Sequence, residues 1–225
     1  MLIYAHRGVS AEYPENTLRA FQRAIEIGVD GIELDLHASA DGVPVVIHDR
    51  ELERTTNGRG YVDRQALAAL QAHDAGRGER IPTLAEVIDL VGDAVHLDLE
   101  IKGRGIEAAV LETLTRFPRA RWAISSFDWE ILRNVRRIQA IAPVWPLAAT
   151  WSDAVLDVAN ELESPIVAVS VETYTAQTAE AMRAAGLATM IWTVNDVHQA
   201  QQIAALGAFA LCTDDPARIA AGLQR

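Results

Sequence analysis

The sequence has a single cysteine, Cys212, and no long apolar run. One cysteine cannot form an intrachain disulfide, which is typical of proteins from a reducing compartment. No apolar stretch approaches the roughly 20 residues of a membrane-spanning helix, and no basic segment precedes a long apolar one near the first residue. We therefore expect a cytoplasmic protein without a signal peptide and without stable membrane insertion.

Positive charge is also scarce. The chain of 225 residues has 20 lysines and arginines against 31 aspartates and glutamates, which gives a formal net charge of −11. A field of this sign repels nucleic acid and anionic membrane surfaces, and no lysine- or arginine-rich cluster reverses it locally. We expect no nucleic-acid partner. An anionic substrate would have to be met by a metal ion or by a few well-placed basic side chains.

Short strand-like apolar runs alternate with longer amphipathic, alanine-rich runs. Half of the residues are hydrophobic, so we expect one folded domain over residues 1–225. The predicted strands cover residues 2–5, 31–37, 43–48, 95–102, 122–126, 144–148, 166–171, 189–194 and 209–213. The predicted helices cover residues 16–27, 84–91, 106–117, 129–138, 152–162, 176–185, 197–205 and 216–223. Such alternation predicts parallel strands joined by helical crossovers.

Two α/β architectures fit this alternation, a closed (β/α)8 TIM-type barrel and an open doubly wound sheet. A count of roughly eight repeats favours the barrel. No glycine-rich phosphate-binding motif follows the first strand, which weakens the dinucleotide-binding alternative. After the second strand region, a polar, glycine-rich run at residues 50–81 interrupts the alternation of strands and helices. We predict a single barrel with a small insertion at its mouth over these residues.

Acidic residues occupy inward positions of two predicted strands. Because strand side chains alternate between faces, Glu33 and Asp35 point to one side, and Glu100 points inward from another strand. Barrel interiors are normally filled by branched apolar residues, and buried carboxylates remain ionised only beside a positive partner. The three carboxylates suit a hard divalent cation, Mg²⁺ or Ca²⁺. The alternative is an ion network with Arg7 and Lys102.

Two histidines end predicted strands, His6 after the first and His48 after residues 43–47. Barrel enzymes carry their catalytic groups at the carboxyl ends of the strands. Because histidine titrates near neutral pH, such a pair can serve as general acid and general base. His37 and His96 also point inward and are candidates to line a pocket.

The segment after His6 adds a candidate anion-binding group. Arg7 offers a fixed fork of donors that matches a phosphoryl group. A salt bridge with Glu15 is its structural alternative, and the two roles are compatible. Asn16 and Thr17 are candidates to cap the first helix.

Taken together, the motifs of this chain resemble those of the glycerophosphodiester phosphodiesterase family. Single tripeptides carry little weight, but these motifs occur in order over essentially the whole chain. They are His6-Arg7-Gly8, Pro14-Glu15-Asn16-Thr17, Glu33-Leu34-Asp35, Asp41-Gly42, Val45-Val46-Ile47-His48-Asp49, Pro82-Thr83-Leu84-Ala85-Glu86, Leu99-Glu100-Ile101-Lys102, Ser126-Phe127, Trp192-Thr193-Val194-Asn195 and Thr213-Asp214-Asp215-Pro216.

The resemblance implies a (β/α)8-type barrel that hydrolyses glycerophosphodiesters to sn-glycerol 3-phosphate and an alcohol. It also implies a divalent cation, Mg²⁺ or Ca²⁺, as cofactor and a small-molecule phosphodiester as substrate. The implied roles are acid–base catalysis by His6 and His48, metal binding by Glu33, Asp35 and Glu100, phosphoryl contacts from Arg7 and Lys102, a mouth lined by Phe127 and Trp192, and support from Glu15. For the two aromatic residues, plain core packing stays open.

Three further readings stay open at this point. A related phosphodiesterase acting on lysophospholipids would need an apolar rim, whereas residues 50–81 are polar and rich in glycine. An idle barrel used as a binding module would have lost some of the implied site residues, and this chain retains them. Exposed faces of the predicted helices at residues 176–185 and 197–205 leave a homodimer possible.

Overall fold

The computed structural model describes residues 1–224. Within this range the strands are β1 (Leu2–His6), β2 (Gly31–Ala38), β3 (Pro44–Val46), β4 (His96–Ile101), β5 (Arg121–Ser126), β6 (Val144–Ala148), β7 (Ile166–Ser170), β8 (Ala188–Trp192) and β9 (Ala210–Thr213). The helices are α1 (Leu18–Ile27), α2 (Leu67–Leu70), α3 (Leu84–Val91), α4 (Glu107–Thr115), α5 (Trp129–Ile138), α6 (Asp153–Glu161), α7 (Ala176–Ala184), α8 (Val197–Ala205) and α9 (Pro216–Gly222).

Parallel pairing closes the strands into a ring. In the part of the chain described here, the order is β1-β2-β4-β5-β6-β7-β8-β9, and β9 pairs back onto β1. A helix follows each of these strands before the next one begins. This is an eight-stranded (β/α)8 barrel, and it confirms the architecture predicted from the alternation.

One predicted strand, residues 43–48, is not part of the barrel. Only Pro44–Val46 is extended there, and it pairs antiparallel with the end of β2, Leu36 opposite Val46. A parallel neighbour needs a crossover of about a dozen residues or more, and the link from β2 to β3 is a short hairpin turn. His48 therefore lies in a loop beyond β3, and the prediction that it ends a barrel strand is wrong.

The first helix begins two residues later than predicted. Thr17, with an extended backbone, is its N-cap, and its hydroxyl accepts a hydrogen bond from the Ala20 amide at 3.3 Å. The preceding residue, Asn16, has a φ of 58°, which is incompatible with the right-handed helix. The Asn16 side chain therefore does not cap the helix, and its contacts are described below with the active-site cavity.

The apolar core lies mainly between the strands and the surrounding helices. On β2, Ile32, Leu34 and Leu36 point outward and are fully buried, as are Leu97 and Leu99 on β4. The intervening residues of the same strands point into the barrel, as the two-residue period requires. On these two strands, apolar side chains thus face the helices, and the polar side chains face the interior of the barrel.

Aromatic side chains fill the opposite, amino-terminal half of the barrel interior. The His96 and Trp145 rings stack with centroids 5.1 Å apart, and Tyr4 meets both edge-on. Gly31 makes room for this group, because a Cβ there would lie 2.2 Å from the Tyr4 ring. These rings occupy the interior on the side away from the carboxyl ends of the strands.

Residues 50–81 form a polar excursion with a small core of its own. A 3₁₀ turn (Val62–Arg64) and the single turn of α2 bury Val62, Leu70 and Leu52 against Val45 under the excursion. The Arg77 guanidinium also donates a hydrogen bond to the Glu12 carbonyl at 2.8 Å. These contacts hold the excursion against the loop that follows β1. Across residues 1–224, no helix is both long enough and apolar enough to cross a membrane.

Candidate active site

The carboxyl ends of the barrel strands surround a cavity of about 270 Å³. Because parallel strands end at the same face of a barrel, residues far apart in sequence converge there. His6 ends β1 opposite Glu33 of β2, and Asp35 lies opposite Glu100 of β4. The lining of the cavity includes His6, Arg7, Glu33, His48, Glu100, Lys102, Phe127 and Trp192.

Three carboxylates form a compact cluster beside this cavity. One oxygen from each of Glu33, Asp35 and Glu100 lies within 4.8 Å of the other two, and all three residues are buried. Two ligand oxygens on opposite sides of a Ca²⁺ ion, at about 2.4 Å each, are themselves about 4.8 Å apart. The spacing and the all-oxygen donor set therefore fit a hard divalent cation.

The carboxyl groups of the cluster differ in the direction of their pKa shifts. Burial, reinforced by the nearby charges of Asp35 and Glu100, raises the pKa of Glu33 well above its usual range. Burial acts in the same direction on Asp35, but Lys102 and Arg7 outweigh it and lower the pKa of Asp35. Within residues 1–224 the Glu33 Oε1 atom is buried without a hydrogen-bond partner. An orphaned buried oxygen in such a cluster is a ready ligand for a cation.

Two basic side chains lie against the carboxylates. The Lys102 ammonium is 2.9 Å from Asp35 Oδ1 and 2.6 Å from Glu100 Oε1. Arg7 places its Nε atom 3.2 Å from Asp35 Oδ2, and its backbone amide donates to Glu33 Oε2 at 3.0 Å. The ion network that the sequence left as an alternative is thus present, in the same place as the candidate metal ligands.

Asn16 was expected to cap a helix and instead belongs to the site. Its side-chain amide donates to Asp35 Oδ2 at 2.7 Å, and its carbonyl oxygen accepts from the Asp35 amide at 3.4 Å. This pair of bonds orients the Asp35 carboxylate towards the cluster. The position of Asn16 between Glu15 and the capping Thr17 gave no signal of such a role.

Each candidate catalytic imidazole is held by an aspartate. His6 Nδ1 lies 2.6 Å from Asp214 Oδ1, and His48 Nδ1 lies 2.5 Å from Asp49 Oδ1. Because an ionised carboxylate only accepts hydrogen bonds, Nδ1 is the donor in both pairs, and Nε2 is left for a substrate. His6 Nε2 is 3.9 Å from Glu33 Oε2, at the edge of the carboxylate cluster.

The partner of His6 is itself strongly oriented. Ser10 donates to Asp214 Oδ1 at 3.0 Å, and Asn195 donates to Oδ2 at 2.5 Å. Burial would raise the pKa of Asp214, but the hydrogen bond from His6 and the other donors lower it to about 2. Asp214 and Asp49 lie within the family-like motifs Thr213-Asp214-Asp215-Pro216 and Val45-Val46-Ile47-His48-Asp49, but the sequence alone does not predict a role for either. For Asp49, its place directly after His48 was a usable signal.

The remaining predicted residues fall into two groups. Phe127 and Trp192 meet edge-to-face with ring centroids 5.3 Å apart and line the cavity, with Phe127 46% exposed. Phe127 is thus exposed at the open end of the cavity, whereas Trp192 both lines the cavity and packs against the apolar residues of the barrel interior. His37 Nε2 donates a hydrogen bond to the His48 carbonyl at 3.0 Å. His96 lies in the aromatic layer far below, where burial lowers its pKa to about 4.

These side chains define the class of protein. A parallel barrel whose open end carries buried carboxylates, basic side chains and two aspartate-held imidazoles has the parts of a hydrolase for anionic substrates. The match to a family model is specific: residues 6–218 match the model of the glycerophosphoryl diester phosphodiesterase family. The chain belongs to this family.

Similar proteins cover nearly the full chain. A glycerophosphodiester phosphodiesterase of Caldanaerobacter subterraneus subsp. tengcongensis is 35% identical over an alignment of 232 positions, gaps included, and the alignment covers 96% of this chain and 94% of that protein. Among solved structures, an Oleispira antarctica phosphodiesterase in complex with the product sn-glycerol-3-phosphate has a TM-score of 0.95 at 29% identity, covering 100% of this chain and 97% of that one. The glycerophosphodiester phosphodiesterase of Thermotoga maritima has a TM-score of 0.86 at 28% identity, with 98% and 97% covered.

Proposed function

We propose that this protein hydrolyses glycerophosphodiesters to sn-glycerol 3-phosphate and an alcohol. The observation that carries the proposal is the convergence of three buried carboxylates, two basic side chains and two aspartate-held imidazoles on one cavity. Membership of the family and the product complex of the Oleispira antarctica relative support the choice of substrate.

A divalent cation, Mg²⁺ or Ca²⁺, is part of this proposal, with Glu33, Asp35 and Glu100 as its protein ligands. The cation would supply charge neutralisation at the non-bridging oxygens of the phosphoryl group. Arg7 and Lys102 would donate hydrogen bonds to the same oxygens, and, despite burial, the neighbouring carboxylates raise the pKa of both side chains, which favours their charged forms. Such fixed positive groups act most strongly where charge develops in the transition state.

The proton transfers are assigned to the imidazoles of His6 and His48. With Nδ1 fixed on an aspartate, each ring offers Nε2 to the cavity, one to accept a proton from the nucleophile and the other to donate a proton to the leaving alkoxide. Asp214 and Asp49 stabilise whichever ring is protonated. Phe127 and Trp192 would contact the alcohol at the mouth.

The proposal extends to the organisation of the chain. We infer one domain in which residues 50–81 are an insertion at the barrel mouth. Two features support this: β1 pairs with both β2 and β9, so the ring joins the two ends of the chain, and the excursion packs on residues next to the site.

A pair of histidine variants tests the catalytic assignment. His6→Ala and His48→Ala should each lower kcat on glycerophosphocholine by about 10²–10⁴, the usual contribution of a general acid or base. His198→Ala is the matched control, because His198 lies on the exposed face of α8 and contacts Gln202. Turnover close to that of the unmodified protein in either site variant would remove that histidine from the mechanism.

Metal removal tests the carboxylate assignment separately. Activity should be lost in excess chelator and restored by Mg²⁺ or Ca²⁺, whereas an Asp35→Asn variant should not recover. Full activity in excess chelator would contradict the proposed metal dependence.

A further inference from the structure

Arg54 stands apart from the other arginines of the insertion because it reaches the active site. It lies two residues after Leu52, whose side chain is fully buried in the small core of the insertion. The turn is closed by a hydrogen bond from the Thr56 amide to the Leu52 carbonyl at 3.0 Å, and the Leu52 amide donates to the Gly60 carbonyl at 3.0 Å. The backbone that carries Arg54 is therefore anchored on both sides.

The guanidinium of Arg54 is shared between two carboxylates. Its Nε and Nη2 atoms lie 2.5 and 3.1 Å from the two oxygens of Asp49. Its Nη1 and Nη2 atoms lie 2.9 and 2.8 Å from the two oxygens of Glu15. Both carboxylates are thus bound in the two-pronged geometry that fixes orientation as well as distance.

Each of these carboxylates holds a group of the proposed catalytic machinery. Asp49 binds His48 Nδ1 at 2.5 Å, and Glu15 binds Arg7 Nη1 at 2.9 Å. Arg54 consequently joins the imidazole on one side of the cavity to the phosphoryl-binding arginine on the other. Without the charge of Arg54, Glu15 would keep only Arg7 as an ion-pair partner, and Asp49 would keep only the hydrogen bond from His48.

The surroundings of Arg54 argue against a purely structural role. Its side chain is 47% exposed, and ion pairs with such exposure contribute little to stability. Its hydrogen bonds are, however, the largest influence on Asp49, where they lower the pKa to about 2. Arg54 therefore stabilises the ionised form of Asp49, the form that accepts the hydrogen bond from His48 Nδ1.

We propose that Arg54 is a positioning residue of the active site: its forked contacts with Asp49 and Glu15 hold His48 and Arg7 in their reactive orientations. The effect on turnover rests on the proposed function, whereas the effect on the His48 ring does not. The insertion is then a component of the active site and not only a surface excursion.

A double-mutant cycle tests this role. Arg54→Ala and Asp49→Asn should each lower kcat on glycerophosphocholine by about tenfold to a hundredfold, since displacements near 1 Å cost this much. If Arg54 acts through Asp49, the double variant should lose no more than about twofold beyond the weaker single variant, because coupled residues are not additive. Effects that multiply in the double variant, or an Arg54→Ala variant within about twofold of the unmodified enzyme, would overturn the proposal.

Arg50→Ala is the matched control. Arg50 is an arginine of the same segment that pairs with a carboxylate, Asp63 at 3.0 Å, on the exposed surface away from the cavity. Arg50→Ala should leave kcat unchanged, and adding it to Asp49→Asn should cause no further loss of kcat. Thermal melting of all variants establishes that each is folded under the assay conditions.

Nuclear magnetic resonance of the His48 ring gives a readout that does not depend on activity. In the unmodified protein the ring nitrogen shifts should report one neutral tautomer with the proton on Nδ1. Arg54→Ala should move these shifts towards a mixture of tautomers, as should Asp49→Asn, and Arg50→Ala should leave them unchanged. Unchanged shifts in Arg54→Ala would overturn the proposal, even if the unmodified protein hydrolysed no glycerophosphodiester and the proposed function had failed.

Discussion

Replacing Lys102 by methionine removes the cation that neutralises the carboxylate cluster and keeps the length and most of the apolar volume of the side chain. The Lys102 ammonium contacts Asp35 and Glu100 at 2.9 and 2.6 Å, and the three side chains are 16%, 1% and 10% exposed. Burial lowers the pKa of Lys102, but the charges of Asp35 and Glu100 raise it above its usual value. The group is therefore an ammonium in the folded protein.

The expected loss of stability is large because the partners left behind are buried. Removing one member of a buried ion pair costs about 3–5 kcal/mol. A protein of this length loses roughly 2–4 °C of Tm for each kcal/mol, so Lys102→Met should melt about 6–20 °C lower in excess chelator. In the variant the carboxylates of Glu33, Asp35 and Glu100 repel one another. A bound divalent cation can supply the positive charge that Lys102 no longer provides.

The assay is thermal melting with chelator and with Mg²⁺ or Ca²⁺. At a cation concentration of about 100 times Kd, binding adds about 2.7 kcal/mol, which corresponds to a rise in Tm of roughly 5–11 °C. Arg183→Met is the control, since Arg183 pairs with Glu180 and both are more than half exposed. That variant should lose less than about 1 kcal/mol. A Lys102→Met protein that melts with the unmodified one in chelator, or that gains nothing from any divalent cation, would refute the reasoning.

Three further predictions concern single residues. Asp214→Asn should lower kcat by about 10²–10⁴, because the His6 ring loses its fixed Nδ1–H acceptor; kinetics that match the unmodified enzyme would contradict this. Burial raises the pKa of Asp98 to about 7, so its folded form keeps a proton that the unfolded chain releases near pH 4. Stability should therefore be lost between about pH 4 and 7, and Asp98→Asn should raise Tm at pH 8 but not at pH 4; an equal effect at both values would contradict it. Phe127→Ala should lower kcat/KM on glycerophosphocholine about two- to fivefold, if the exposed ring contacts the choline cation, and an unchanged value would exclude that contact.

The barrel and the candidate metal ligands could be predicted from local patterns. Alternating strands and helices require parallel pairing with crossovers, and the two-residue period of β2 places Glu33 and Asp35 on one face whatever their partners are. His6, at the end of β1, follows from the same reasoning. The two-residue period of a strand repeats within a few residues, so a single chain segment is enough to predict which side chains share a face.

The pairing of side chains from distant segments could not be predicted in this way. Asp214 and His6 are 208 residues apart and meet at 2.6 Å, because β9 pairs with β1 when the ring closes. The contact between Asn16 and Asp35 could not be predicted either, because it depends on a backbone φ of 58° at Asn16 that no periodicity of the sequence encodes. The antiparallel pairing of the short β3 could not be predicted either, because a run of apolar residues fits a barrel strand and a hairpin strand equally well.

The sequence by itself therefore determined the architecture, the inward row of acidic residues and the presence of two histidines with the chemistry for proton transfer. These depend on short-range periodicity and on the intrinsic properties of side chains. The tertiary structure alone decided that Asp214 and Asp49 hold the imidazoles and that Arg54 of the insertion lies between Asp49 and Glu15. The physical reason is that hydrogen bonds and ion pairs act over about 3 Å, and only closure of the barrel brings these segments within that distance.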